Sequence, residues 1–256
     1  MKRYHTLALR ELFAQKMTSF LILTAIVLST MMTAAVGQSA GVLAAMREQQ
    51  AIAIGGDRYA TFVQLTEEQA QFLEQEPRLS YAGRFVPLGD MELNDQLSLD
   101  LAEYWGDGLK TRPTYTRLVE GRLPEAPMEL ALPEDALQFL GFSGEIGDTI
   151  RLSCSKALRH GIVLDAYDYT AEFTLVGVTE SNFLGYTGGH ILGLVGEGTA
   201  AELLPEHYLY YSMDIRTAEK KDFQTVVDDL CAQLGIHELD TLYNIPLLNA
   251  LGIRYD

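Results

Sequence analysis

The sequence predicts an α+β protein, with one N-terminal transmembrane helix followed by a two-lobed extracytoplasmic domain of β-α-β units and a β-rich insert. Three observations carry that prediction. Residues 17–46 contain no charged side chain. The two flanks of that run differ sharply in charge. A strand–helix–strand pattern occurs just after the run and again near the end, with a turn-rich stretch between.

The apolar run has FLILTAIVLSTMMTAAV at its core. At about 1.5 Å per residue, about 20 such residues cross a bilayer core of about 30 Å, so a helix over 18–43 spans it. Lys2, Arg3, Arg10 and Lys16 precede the run against only Glu11, whereas the rest of the chain holds 15 Lys and Arg against 34 Asp and Glu. Basic residues collect on the cytoplasmic side of a span. The N-terminus is therefore expected inside the cell membrane and the bulk of the chain outside. In TLALRELFAQKM, Leu7, Leu9, Leu12 and Phe13 alternate with Arg10 and Lys16. Residues 1–17 accordingly read as a cytoplasmic amphipathic segment lying on the lipid bilayer. A cleaved signal peptide is the competing reading, since Ala35–Gly37 offers small residues at a cleavage position; the apolar region is longer than such peptides use.

Beyond the span, RYATFVQLT (58–66) alternates as a strand does, and Thr66 is placed to cap a helix over 67–76. Glu67 and Glu68 occupy its first turn, Ala70, Phe72 and Leu73 its apolar side, and Pro77 its end. LSYAGRFVPL then reads as a second strand. The pattern returns as a strand over 207–216 and a helix over 218–234 capped by Thr217. Phe223, Val226, Val227, Leu230 and Leu234 form its stripe, Gly235 stops it, and IHELDTLY follows as a closing strand. The expected lobes are 50–89 with 200–245, sharing one sheet with both helices on one face, and an inserted β-rich lobe over 90–199. A strand–helix pair is marginal alone, so the two units need one another to bury their apolar stripes.

Composition excludes several functions. The chain of 256 residues carries a net charge of −16. Nucleic acid is an unsuitable partner, because its phosphates need basic patches. Cys154 and Cys231 could form a disulfide outside the cell or lie as two buried thiols. His5, His160, His190, His207 and His237 are scattered, and no metal site, cofactor site or catalytic residue is assigned.

Two motifs imitate active sites. Gly37–Gly41 spells GQSAG, the pattern of a hydrolase's nucleophile elbow, but Ser39 lacks the preceding strand that an elbow requires. Gly196, Gly198 and Ala201 spell G-x-G-x-x-A, with Asp214 where a ribose-binding acid could stand. Glu197 there would repel a pyrophosphate, and Pro205 would cut the helix short. The carboxylate pairs Asp165/Asp168 and Glu134/Asp135 are what so acidic a chain produces by chance, and Tyr104 with Trp105 reads as a half-buried aromatic cluster.

The stretch EGRLPEAPMELALPEDALQFLGFSGEIGDTIRL combines a G-R-x-P turn, a strand carrying Glu, a helix ending at L-G and a G-D-x-I turn. These are Gly121, Arg122, Pro124, Glu129, Leu140, Gly141, Gly147, Asp148 and Ile150, and EFTLVGV follows as a strand. With L-x-L-R-x-L leading into the first span, their order resembles the FtsX-like, MacB-like permeases of ABC transporters. The resemblance implies a porter-like α+β lobe with a β-rich insert, and structural rather than catalytic roles for Gly121, Arg122, Pro124, Glu129, Gly141, Gly147 and Asp148. It also implies a cytoplasmic ATP-binding subunit and a second permease copy or paralogue as partners. The permease itself is not the ATPase, and no G-x-x-x-x-G-K-[ST] occurs in this sequence. Such permeases have three more membrane helices; residues 246–256 read as the approach to a missing second one, as in a truncated gene or a fragment. The alternative is a secreted or membrane-tethered extracellular binding module.

Overall fold

The computed structural model describes residues 16–160, 163–182 and 185–255; the amphipathic segment expected over 1–17 lies almost wholly outside them. The chain divides into two compact units, Met1–Arg47 and Glu48–Asp256. The described part of the first is helical, in α1 (Lys16–Gly55). Residues Phe20–Gly55 are long and apolar enough to cross a membrane by length and composition. The hydroxyls of Thr24, Thr30, Thr33 and Ser39 each donate to the carbonyl four residues earlier, at 2.8–2.9 Å. That bond lets a polar residue sit in an apolar helix without an unsatisfied donor.

In the second unit, β1 (Ala60–Leu65) leads to α2 (Glu67–Glu74) and β2 (Leu79–Asn94). Thr66 closes a reciprocal capping box with Gln69. Late in the chain, β9 (Tyr211–Thr217) leads to α5 (Phe223–Leu234) and β10 (Thr241–Tyr243). The four strands lie in the order β10-β1-β9-β2, and every neighbouring pair is antiparallel. Each helix therefore crosses over a strand of the other unit, which is the split β-α-β arrangement. Two right-handed crossovers of this kind put both helices on one face, where the Gln69 side chain donates to the Leu234 carbonyl at 2.8 Å. Ala70, Leu73, Phe223, Val226, Val227 and Leu230 are buried against the sheet there.

Three local expectations are corrected. Phe72 is 36% exposed, and the buried stripe of α2 is Ala70 and Leu73. Residues 206–208 form a 3-10 turn rather than the start of β9. Thr217 does not cap α5, because strand pairing with Leu79 carries β9 through it; a 3-10 turn at Lys220–Asp222 leads into the helix.

Between these units come β3 (Leu97–Tyr104), β4 (Leu118–Gly121), β5 (Glu129–Pro133), α3 (Glu134–Phe139), β6 (Thr149–His160), β7 (Val163–Thr179), β8 (His190–Val195) and α4 (Thr199–Leu203). Their strands continue the same sheet, in the order β2-β3-β8-β5-β7-β4. β6 pairs along β7 and returns to β2 at Asp90–Ser155, which closes a ring β2-β3-β8-β5-β7-β6. The 16 residues of β2 thus serve both parts, pairing with β9 over Leu79–Phe85 and with β3 from Phe85 onward. Gly89 makes the closure possible. Its φ is +123°, and a Cβ there would lie 2.4 Å from the Ser155 carbonyl oxygen.

Asn244 joins the two ends of the unit. Its side-chain amide donates to the carbonyls of Gly56 and Arg58, each at 2.9 Å, and its backbone N–H to that of Tyr59. The helix α6 (Ile245–Leu251) follows, with Leu247 and Leu248 fully buried.

Candidate functional site

The face of the sheet opposite α2 and α5 carries a polar interior. Strand alternation sends Tyr211, Met213 and Ile215 toward the helices, and Ser212 and Asp214 away from them. Asp214 is fully buried and sits between two guanidinium groups, 2.7 Å from Arg58 Nε and 3.3 Å from Arg112 Nε. Thr61 and Thr111 donate their hydroxyls to it at 2.6 and 3.1 Å. Burial alone would raise this carboxyl; the two arginines and the two hydroxyls overcome it and hold Asp214 below its ordinary value. It is a structural charge, not a ribose-binding one.

Next to this network lies a cavity of about 320 Å³ at the seam between the four-stranded part and the ring. Phe85 and Tyr104, stacked 4.9 Å apart, form one wall. Lys156 and Ser212 reach it from β6 and β9, and Asp90 and Asp100 stand on the paired strands β2 and β3. Lys156 is 6% exposed, donates to the Pro87 carbonyl at 2.6 Å and makes no ion pair among the described residues. Burial pushes its ammonium down to about 8. Ser212 is 1% exposed, and its hydroxyl has no hydrogen-bond partner among the described residues. Neither residue stands out in the sequence; a lysine two positions after Cys154 and a serine in YLYYSMDIR give no local signal.

The residues that carry the permease resemblance converge elsewhere, on Leu175–Gly177 of β7. Gly121 has φ +75°, and a Cβ on it would come within 2.2 Å of the Val176 carbonyl oxygen. Arg122 N–H donates to that same oxygen at 2.9 Å, and Gly147 N–H to the Leu175 carbonyl at 2.7 Å. Arg122 grips Glu129 through both oxygens, at 2.7 and 2.5 Å. Glu129 also accepts the N–H groups of Glu125 and Ala126, so the loop containing Pro124 is closed around one carboxylate. The Arg122 hydrogen bonds hold Glu129 down to about 2. Gly141 leaves α3 with φ +64°, just after Leu140, and Asp148 accepts the Glu145 N–H at 2.8 Å. Ile150 is buried opposite Phe173.

Both imitations of active sites are accounted for. Ser39 lies within α1, its hydroxyl on the Ala35 carbonyl. At Gly196–Ala201 the N–H groups of Gly198 and Ala200 already donate to the carboxylate of Glu103, at 2.9 and 2.7 Å, so an internal anion occupies the start of α4. Trp105 Nε1 donates to the same carboxylate at 2.6 Å. Trp105 and Tyr104 do not form one cluster: Trp105 packs on Tyr211 beneath Arg84, and Tyr104 on Phe85. Asp165 accepts the Tyr208 hydroxyl, while Glu134 and Asp135 line a shallow depression with Val119 and Phe139. Cys154 and Cys231 are both free thiols. Among the described residues, no group of His, Cys, Asp or Glu is gathered as metal ligands are.

No protein-family model and no curated protein matches the chain. Among solved structures it is similar to the periplasmic region of MacB from Actinobacillus actinomycetemcomitans, at 12% identity over 79% of this chain and 95% of that one, with a TM-score of 0.46. It is also similar to the extracellular domain of the ABC-type transporter YknZ from Gram-positive bacteria, at 9% identity over 72% of this chain and 98% of that one, with a TM-score of 0.45. A domain described as part of a permease protein from Porphyromonas gingivalis shares 12% identity over 70% of this chain and 73% of that one, with a TM-score of 0.35.

Proposed function

We propose that the chain is a permease component of an ABC transporter, with its N-terminus in the cytoplasm and residues 50–245 outside. In this reading a cytoplasmic ATP-binding subunit hydrolyses ATP, and the membrane helices of this chain and a second permease copy or paralogue transmit the motion to the extracytoplasmic domain. The output is export or release of a substrate. The observation that carries the reading is the path of the chain. Gly56, at the end of the apolar helix, is bonded to the side chain of Asn244, which lies near the far end of the domain and just before the core-packed helix α6. A domain inserted between membrane segments needs its two ends together, whereas a domain hung from a single anchor does not. The ordered motifs from Gly121 to Ile150 supply the second support.

The full chain, cross-linked in native membranes and purified in detergent, should bring with it a protein whose mass-spectral peptides include a G-x-x-x-x-G-K-[ST] loop. In a variant lacking Cys154 and Cys231, Asp95→Cys in the exposed β2–β3 turn should react with an impermeant thiol reagent on intact cells. Recovery of the cross-linked chain alone, or labelling of Asp95→Cys only after cell breakage, would overturn the reading.

A membrane-tethered binding module is the second reading, favoured by one observation, the cavity at Lys156.

A further inference from the structure

The sheet ends on a surface that no described residue covers. β4 is its last strand, pairs only with β7 among the described residues, and has all four of its residues exposed. Leu118 and Val119 of β4 and Phe139 of α3 are exposed large apolar side chains. Ile146 is another, and it lies against Gly121 at the end of β4, where a Cβ would come within 3.1 Å of its Cδ1. Apolar side chains exposed singly are ordinary; a group of them around one strand and the helix beside it marks an interaction surface.

Val119 and Phe139 line the depression of about 710 Å³ that also holds Glu134, Asp135 and Glu180. Glu180 has Arg117 at 3.5 Å, but both side chains are more than half exposed, and such a pair is worth little. Glu134 and Asp135 suit the first turn of α3 and have no ion pair among the described residues. Asp135 Oδ2 is buried without a hydrogen-bond partner among them, and the broad terminal torsion of a carboxylate lets a donor draw that oxygen outward. Apolar side chains flanked by unpaired carboxylates complement a surface that brings apolar groups and cations together. A second copy does not supply one, because a chain of charge −16 repels itself. An anionic lipid surface is repelled likewise, and a small cation alone would leave Val119 and Phe139 in water.

We propose that this groove docks a protein partner through a short segment in which Lys or Arg stands beside large apolar side chains, the apolar groups between Val119 and Phe139 and the cations among Glu134, Asp135 and Glu180. The site goes beyond the permease reading and stands or falls separately from it, because neither the ATP-binding subunit nor a second copy is needed to fill it.

The test is fluorescence anisotropy of the full chain in non-ionic detergent micelles with a labelled peptide, Gly-Lys-Phe-Arg-Leu-Lys-Gly. One comparison peptide has Gln at each basic position and the other has Ser at both apolar positions. The parent peptide should bind tenfold or more tighter than either. Glu134→Gln combined with Glu180→Gln should weaken it at least tenfold, and so should Phe139→Gln. Glu202→Gln combined with Asp229→Asn, which removes as much charge from exposed sites elsewhere, should bind it as the unaltered chain does. Unchanged thermal melting certifies that each variant is folded. Spermidine should fail to displace the peptide at equal concentration, and a photo-cross-linker at position 119 should give no chain-to-chain adduct in native membranes. Equal binding of the three peptides, or a preference that survives the groove variants, overturns the proposal. Displacement by spermidine would make the groove a site for small cations, and a chain-to-chain adduct would make it a contact between copies; either outcome overturns the proposal too.

Discussion

Asp214 and Lys156 are both buried charges, and among the described residues only the first has counter-charges. Removing each should therefore move stability in opposite directions. Asp214→Asn leaves Arg58 and Arg112 facing each other without an anion and should cost about 3–5 kcal/mol in denaturant unfolding. Because the folded-state value of Asp214 is lowered, its contribution is present above the ordinary carboxylate range and is lost as pH falls through the folded value. Lys156 runs the other way. Its ammonium is pushed down to about 8 from 10.5, so the unfolded chain binds the proton more tightly. Lys156→Met should stabilise the protein by roughly 1–3 kcal/mol near neutral pH. The advantage should shrink between about 8 and 10.5, where the native lysine gives up its proton and wild-type stability rises. A Met variant whose advantage is constant across that range would show that the ammonium is not the source.

At the scale of elements, β2 decides how the two parts of the domain are joined. Ring closure depends on one pairing, Asp90 with Ser155, at the point where Gly89 has no Cβ. Gly89→Ala should cost about 3 kcal/mol or more, from the positive φ and the clash with a backbone carbonyl that cannot rotate away. Thermal unfolding of the purified chain measures it. The elements themselves were legible to different degrees. Thr66 announced α2 correctly, because a cap is local; the structure adds Gln69, which completes the box. Thr217 misled, because pairing with Leu79, more than a hundred residues away, outweighed its own preference to cap. The ring could not be read at all, since no sequence pattern reports that β6 will meet β2 for a single residue pair.

For the molecule as a whole, the sharing of one sheet by residues near 60 and near 215 was visible in the apolar stripes that needed covering. That sheet runs unbroken into the insert, with β2 crossing the boundary expected near residue 90. The cavity lay beyond sequence reasoning, because its residues come from β1, β2, β3, β6, β8 and β9 and are united only by topology. One clue was present. An aspartate in the apolar strand YLYYSMDIR demands a partner when buried, and a search for its arginines would have led to Arg58 and Arg112.

The bond between Asn244 and Gly56 has a mechanical meaning. Ala60 pairs with Tyr243, so the first residue of β1 lies beside the last of β10. Tension that separates Gly56 from Asn244 is met first by the three bonds of Asn244 and then by the three residue pairs of β1 and β10. These open one after another, like a zipper, instead of resisting together in shear. The seven strands of β2 through β8 lie outside that line of force. A pull between those two points would strip β10 at low load and leave the ring, with its cavity, intact.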